Sequence, residues 1–208
     1  MRIHEYGQTN SKTVLLQPID AYDLRSIGNE AARIEDETGR DVLLIGIEVD
    51  DWSRDLSPWE ASPVFGKEPF GGKASETLEK LLELCSQCDR TYYIGGYSLA
   101  GLFSLWAAYQ TDLFRGVAAA SPSLWFPGFS EYMQAHTIRT KRVYLSLGDR
   151  EEKTKNPLMA TVGARVREAH ALLAARGVSC TLEWNEGNHF KDADLRTAKA
   201  FSRVLLPE

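Results

Sequence analysis

Residues Thr91–Phe103 read TYYIGGYSLAGLF, and this stretch decides the fold. An apolar run ends in two glycines, and a serine then leads directly into an apolar helical pattern. A strand, a sharp turn bearing a serine and a helix form the context of a nucleophile elbow. Small residues are needed two positions before and after the serine, where Gly96 and Ala100 stand, with Ala100 replacing the usual glycine of G-x-S-x-G. We therefore expect the Ser98 hydroxyl at the edge of a sheet, with a helix N-terminus behind it that favours negative charge.

Five further segments resemble the strand in this stretch. Each is an apolar, β-branched run without polar alternation, which is typical of strands covered on both faces. The six predicted strands are Thr13–Pro18, Asp41–Val49, Thr91–Gly95, Phe114–Ala120, Lys141–Leu147 and Val178–Trp184.

Helical patterns lie between these strands. The predicted helices are Tyr22–Glu37, Ser75–Cys88, Leu99–Tyr109, Asn156–Arg176 and Asp192–Val204. Alternating strands and helices indicate a mostly parallel sheet of about six or seven strands with helices on both faces. Six such units at about 30 residues each account for most of the chain. We therefore expect residues 1–208 to form a single domain, with the aromatic-rich loop Asp50–Lys73 as a flap over a strand end.

Composition excludes several classes of protein. The 208 residues carry 24 basic and 29 acidic side chains, and a net charge of −5 disfavours nucleic-acid binding. The sequence has no apolar run long enough to span a membrane. The polar first residues and only three cysteines disfavour secretion. Cys85 and Cys88 form a C-x-x-C pair at a helix end without further ligands nearby, so no metal is expected. We expect a cytoplasmic protein without a nucleic-acid or membrane partner, whose oligomeric state the sequence does not indicate.

A nucleophilic serine needs a base and an orienting acid. Of the four histidines, His189 follows the last strand just before the C-terminal helix, where a base must stand to reach Ser98. The acid is expected between them in the chain, after the strand Lys141–Leu147. Asp149, Glu151 and Glu152 compete there. Glu151 is preferred for its G-x-x-acid spacing after Gly148, and Asp149 is second. The acids that are not used then lie in a solvated loop.

The remaining site residues follow from position alone. The backbone N–H of Leu99 is expected in an oxyanion hole, together with that of Asp20 or Ala21 after the first predicted strand. Trp52 and Trp59 in the long loop either cover the site or anchor the loop. Ser123 and Trp125 follow the end of the next strand, where the pocket wall is slightly favoured over the core.

These residues together resemble the esterase branch of the α/β-hydrolase superfamily, which includes enterochelin-esterase-like and esterase-D-like serine hydrolases. The resemblance rests on the elbow and on the order of five other segments: Arg54–Trp59, Phe70–Lys73, Ala120–Trp125, Leu147–Glu152 and Gly187–Phe190. It implies a compact α/β-hydrolase fold without a separate cap domain. It also implies a triad of Ser98, Glu151 or Asp149, and His189. The short N-terminus departs from the family pattern and suggests that the first antiparallel strands of the fold are reduced or missing.

The sequence thus predicts a serine esterase that cleaves a small-molecule ester through an acyl-enzyme, with neither metal nor organic cofactor. Two alternatives remain open. The same triad serves an acyltransferase that uses an alcohol in place of water. A catalytically silent hydrolase-like fold acting as a binding protein is the other, although Ser98, His189 and the acids argue against it.

Overall fold

The computed structural model describes residues 1–206, which form a seven-stranded sheet in the order β1-β3-β2-β6-β7-β8-β9. Strands β2, β3, β6, β7, β8 and β9 run parallel, and β1 pairs antiparallel with β3. The strands are β1 (Arg2–Gly7), β2 (Thr13–Ile19), β3 (Leu43–Glu48), β6 (Thr91–Tyr97), β7 (Phe114–Ala120), β8 (Arg142–Gly148) and β9 (Ser179–Asn185). The predicted mostly parallel sheet is therefore confirmed.

Within residues 1–206, seven α-helices accompany the strands. They are α1 (Ile27–Thr38), α2 (Trp52–Asp55), α3 (Ala74–Glu83), α4 (Leu99–Gln110), α5 (Phe129–Ala135), α6 (Val162–Ala175) and α7 (Ala193–Leu205). One face of the sheet packs against α1 and α7, and the other packs against α4 and α6, with separate apolar clusters on the two faces. Helix α4 is buried along almost its whole length, which explains its apolar character all round.

The edge strand β1 was missed from the sequence. Most of its residues are exposed, and its mixture of Arg, His and Glu gives no apolar run. Charged edge strands of this kind resist pairing with other chains. Glu48 of β3 nevertheless anchors β1, because its carboxylate binds Arg2 and His4.

Several predicted boundaries were wrong. A short 3₁₀ helix at Asp23–Arg25 precedes α1, which begins at Ile27 and not at Tyr22. Helix α3 ends at Glu83, so Cys85 and Cys88 lie beyond it, and α6 begins at Val162. The long loop Asp50–Lys73 contains α2 and a two-stranded ribbon of β4 (Glu60–Ala61) and β5 (Phe70–Gly71). Within residues 1–206, no helix combines the length and apolarity needed to cross a membrane.

Candidate active site

Ser98 occupies a strained turn between β6 and α4. Its φ of 57° and ψ of −117° lie outside the regions that L-residues prefer, and such strain is concentrated at functional positions. A Cβ added to Gly96 would lie 2.7 Å from the Ala100 Cβ, so these two positions touch as the sequence predicts. Gly101 is equally confined, because its added Cβ would lie 3.0 Å from the Gly96 carbonyl oxygen. The turn therefore accepts only very small neighbours.

Three side chains from three strand ends form one hydrogen-bonded row. The Nε2 atom of His189 lies 2.9 Å from Ser98 Oγ, and its Nδ1 atom lies 2.7 Å from Glu151 Oε2. Ser98 follows β6, Glu151 follows β8 and His189 follows β9, so the parallel strands bring all three to one edge of the sheet. A proton can pass from the serine hydroxyl to the imidazole, whose second nitrogen then faces a carboxylate.

Glu151 is held in place by several donors. Its Oε1 atom accepts hydrogen bonds from Ser121 Oγ (2.6 Å), Gly148 N–H (2.7 Å) and Arg196 Nη1 (3.1 Å). Burial alone would raise the pKa of this carboxyl, but the hydrogen bonds from His189, Ser121 and Gly148 outweigh burial and lower it below its usual value. Glu151 is therefore ionised where it faces His189.

The two competing acids have different partners. Asp149 Oδ1 accepts the backbone N–H of Gly187 at 2.7 Å, which ties the loops after β8 and β9 together. The Glu152 carboxylate lies 3.5 Å from Arg167 of α6. Of the three acids, Glu151 is the one that bonds to the His189 ring.

Tyr97 and Arg196 were missed from the sequence. The Arg196 guanidinium, which is 4% exposed, donates to Glu151, to the Tyr97 hydroxyl at 3.0 Å and to the Glu186 carbonyl at 3.0 Å. The Tyr97 hydroxyl in turn donates to the backbone carbonyl of His189 at 2.9 Å. Arg196 and Tyr97 thus link the acid loop to the histidine loop. No sequence signal marked Arg196, because it lies within an ordinary amphipathic helix.

Two backbone groups are candidates for an oxyanion hole. Leu99 begins α4, where the first N–H groups have no intrahelical acceptor. The Asp20 N–H is already donated to Asp23 Oδ2 at 3.2 Å. Of the two alternatives after β2, Ala21 is therefore the better candidate, because its neighbour's donor is occupied.

A cavity of about 360 Å³ opens beside Ser98 and His189. Trp52, Phe65 and Trp125 line it, together with Met159, Val162 and Phe190. Phe65 and Trp125 meet edge to face, with ring centroids 6.0 Å apart, and the buried Phe70 supports both rings from behind.

Two other predicted pocket residues occupy different places. The Ser123 hydroxyl lies 3.3 Å from Ser98 Oγ but is not part of the cavity lining. Trp59 does not line the cavity. Its indole N–H donates to the Pro127 carbonyl at 2.9 Å, and its ring packs on Phe126 and Phe129, so it anchors the loop to α5.

No cluster of three or more His, Cys, Asp or Glu side chains within residues 1–206 is arranged to hold a metal ion. Burial raises the pKa of the Cys85 thiol to about 12, which leaves it protonated.

Comparisons with known proteins agree with this architecture. The fold resembles the siderophore hydrolase EstA from Aspergillus nidulans, with a TM-score of 0.69 and 19% identity over 98% of this chain and 89% of that one. It also resembles the enterochelin esterase from Shigella flexneri, with a TM-score of 0.68 and 16% identity over 99% of this chain and 54% of that one. At these identities, the likeness shows the α/β-hydrolase fold.

Sequence comparison gives one curated relative and a family. The relative, described as "Uncharacterized protein YbbA" of Bacillus subtilis (strain 168), is 23% identical over 151 residues, or 66% of this chain. The chain spans about 60% of the length of that relative. The family model described as "Putative esterase" matches residues 29–193, which include Ser98, Glu151 and His189. The chain therefore belongs to the Putative esterase family.

Proposed function

We propose that this protein is a serine esterase that hydrolyses a carboxylic ester through an acyl-enzyme. The observation that carries the proposal is the row of hydrogen bonds joining Ser98, His189 and Glu151, on a strained serine turn beside a cavity. Family membership supports the same reaction class. A silent binding protein would have no need for an ionised, fully hydrogen-bonded carboxylate behind a histidine that contacts a strained serine.

The proposed reaction begins at Ser98. Its Oγ attacks the ester carbonyl carbon while His189 Nε2 removes the hydroxyl proton. Glu151 holds the imidazole in the tautomer with hydrogen on Nδ1 and stabilises the imidazolium that forms. The backbone N–H groups of Leu99 and Ala21 stabilise the negative carbonyl oxygen.

The tetrahedral species then collapses, and the alcohol leaves with the proton from His189. Water, deprotonated by His189, then attacks the acyl carbon of the Ser98 ester. As the acyl–Oγ bond breaks, His189 returns the proton to Ser98 Oγ and the carboxylic acid is released. Trp52 and Phe65 belong to the Asp50–Lys73 loop, which in this proposal covers one side of the bound ester.

A fluorophosphonate probe tests the proposal, because it phosphonylates only an activated serine. We expect the native chain to be labelled at Ser98 and to hydrolyse p-nitrophenyl esters. Ser98→Ala should lose labelling and about 10³-fold or more of kcat. Ser86→Ala, which changes an exposed loop serine, is the matched control and should retain both. Labelling of Ser98→Ala to the native extent would refute the proposal.

Product analysis with an added alcohol separates hydrolysis from acyl transfer. Hydrolysis predicts the free acid as the main product. A transferase would instead yield the new ester, even in dilute alcohol.

A further inference from the structure

The cavity beside Ser98 has a largely apolar wall. Six of its lining residues are apolar or aromatic, namely Trp52, Phe65, Trp125, Met159, Val162 and Phe190. The other four are Ser98, Ser121, Glu151 and His189, which belong to the hydrogen-bonded row or support it. Beyond the reacting centre, the wall therefore offers a bound ester only apolar surface.

The charged side chain that lines the cavity is acidic. Among residues 1–206, no Lys or Arg lines it. In the described part of the chain, Glu151 is the one carboxylate that lines the cavity. Both of its oxygens already accept hydrogen bonds, one from His189 and the other from Ser121, Gly148 and Arg196. An anionic substrate group would find no cation here and would lie near a negative charge. Enclosing a charge without a partner carries a large desolvation cost.

The size of the cavity limits what it can hold. A water molecule occupies about 30 Å³ of the liquid, so about 360 Å³ has room for roughly a dozen water-sized groups. The T-shaped contacts of Phe65 with Phe70 and Trp125 fix one wall. A single aromatic ring or a medium-length alkyl chain fits this space.

Phe190 extends the apolar surface beyond the cavity. Its side chain is 89% exposed and lies edge-on to the His189 ring, with centroids 5.6 Å apart. A substrate that covered this ring would remove apolar surface from water at no cost in buried polar groups. The neighbouring Lys191 binds Glu186 and supplies no cation to the cavity lining.

We infer that the site selects esters in which one half, acyl or alcohol, is neutral and apolar, such as an aryl or medium-chain alkyl group, and rejects those bearing an anion there. This inference rests on the proposed esterase function. It distinguishes substrates by charge, which the triad alone does not do.

Two matched substrate pairs test the inference. The acyl pair is p-nitrophenyl hexanoate and mono-p-nitrophenyl adipate, which carries a carboxylate at the end of the same six-carbon chain. The alcohol pair is hexyl acetate and 6-acetoxyhexanoate. We expect kcat/KM to fall by about 100-fold or more with the carboxylate in at least one pair. Ratios within threefold in both pairs would overturn the inference.

A charge substitution in the wall gives a second measurement. Met159 is half-buried at the cavity wall, so Met159→Lys should place an ammonium there and reduce the preference for the neutral ester by tenfold or more. Met159→Leu is the matched control and should retain the native ratio. If this lysine variant fails to fold, the native ratios alone decide.

Labelling of Ser98 separates the two levels of the proposal. If Ser98 is labelled and neutral and anionic esters are hydrolysed equally, the charge inference fails and the esterase proposal stands. If Ser98 is not labelled and neither ester is turned over, both fail.

Discussion

Two buried glutamates, one in the loop after β8 and one in the region after β2, have pKa values that are shifted in opposite directions. Glu151 follows β8 and Glu30 lies in the first turn of α1, after β2, and both are less than a tenth exposed. The pKa of Glu151 is lowered, whereas the pKa of Glu30 is raised to about 8. Burial acts in the same direction on both, so the difference comes from their partners.

Glu151 has a donor for each oxygen, while Glu30 does not. Gln17 donates to Glu30, but the Oε2 atom of Glu30 has no hydrogen-bond partner within residues 1–206. The negative charges of Asp23 and Asp194 also act on this carboxyl. Burial and Asp20 also raise the pKa of Asp23 to about 6. The surroundings of Glu151 thus stabilise the ionised carboxylate, whereas those of Glu30 stabilise the protonated acid. Only the first is suited to orient a catalytic histidine.

The largest expected effect comes from neutralising the charge in the β8 loop. Glu151→Gln should reduce kcat about 10³- to 10⁴-fold, because an amide facing His189 Nδ1 no longer stabilises the imidazolium or its tautomer. Steady-state hydrolysis of a p-nitrophenyl ester measures this loss. Asp149→Asn is the matched control, since asparagine retains an acceptor for the Gly187 N–H, and its kcat should stay within a few-fold of native. An equal loss in both variants would remove the distinction between these acids.

A smaller effect is expected from the region after β2, whose proposed contribution is a backbone donor. Ala21→Pro removes one N–H and should lower kcat about 10²-fold with little change in KM. Ala21→Gly retains the N–H and serves as the control. Circular dichroism of both variants checks that the turn and α1 still form. Native kcat in the proline variant would exclude Ala21 from the oxyanion hole.

Arg196 tests how far the β8 region depends on its supporting cation. Lysine cannot donate to Glu151, Tyr97 and the Glu186 carbonyl at once as a planar guanidinium does. Arg196→Lys should therefore lower kcat/KM about tenfold. The loss should fall on kcat with little change in KM, because Arg196 supports Glu151 and does not line the cavity.

Arg203→Lys on the same helix is the matched control, since Arg203 pairs with Glu183 away from the site. Its kcat and KM should match the native values. An equal loss of kcat in both variants would limit Arg196 to a general structural role.

The smallest effect concerns Glu30 and appears in stability alone. Because the folded pKa is about 8 and the unfolded value is 4.5, native stability should decline as the pH rises from about 4.5 to about 8. Glu30→Gln abolishes this titration and should raise the free energy of unfolding at pH 8 by on the order of 1–3 kcal/mol, with little change at pH 4.

Urea unfolding at the two pH values measures the difference. Asp36→Asn, at an exposed position of the same helix, is the control: it retains Glu30, so its stability should decline with rising pH as that of the native chain does. Parallel stability curves for native and Glu30→Gln would mean that Glu30 is paired in solution.

The sequence predicted the parts of the site that depend on chain order. Ser98 followed from a strand–turn–helix pattern, and His189 from its place after the last strand, because parallel strands end at one edge. Glu151 was preferred over Asp149 from spacing alone.

Arg196, Tyr97 and Phe190 carry no local pattern, and their contacts join segments distant in the chain. The two roles left open for Trp59 could not be separated, because an aromatic residue in a loop looks alike in sequence whether it faces a cavity or anchors the loop. The edge strand β1 lacked the apolar run that identified the others.

The contact between Gly96 and Ala100 has a consequence for how this turn can evolve. A methyl group on Gly96 would lie 2.7 Å from the one that Ala100 already carries, so the two positions together accommodate a single methyl. Each position is therefore constrained by the residue at the other, and neither can drift alone towards a larger side chain. The familiar glycine at the second position is one of two ways to satisfy this shared limit. With alanine at the second position, the first position has room for glycine alone.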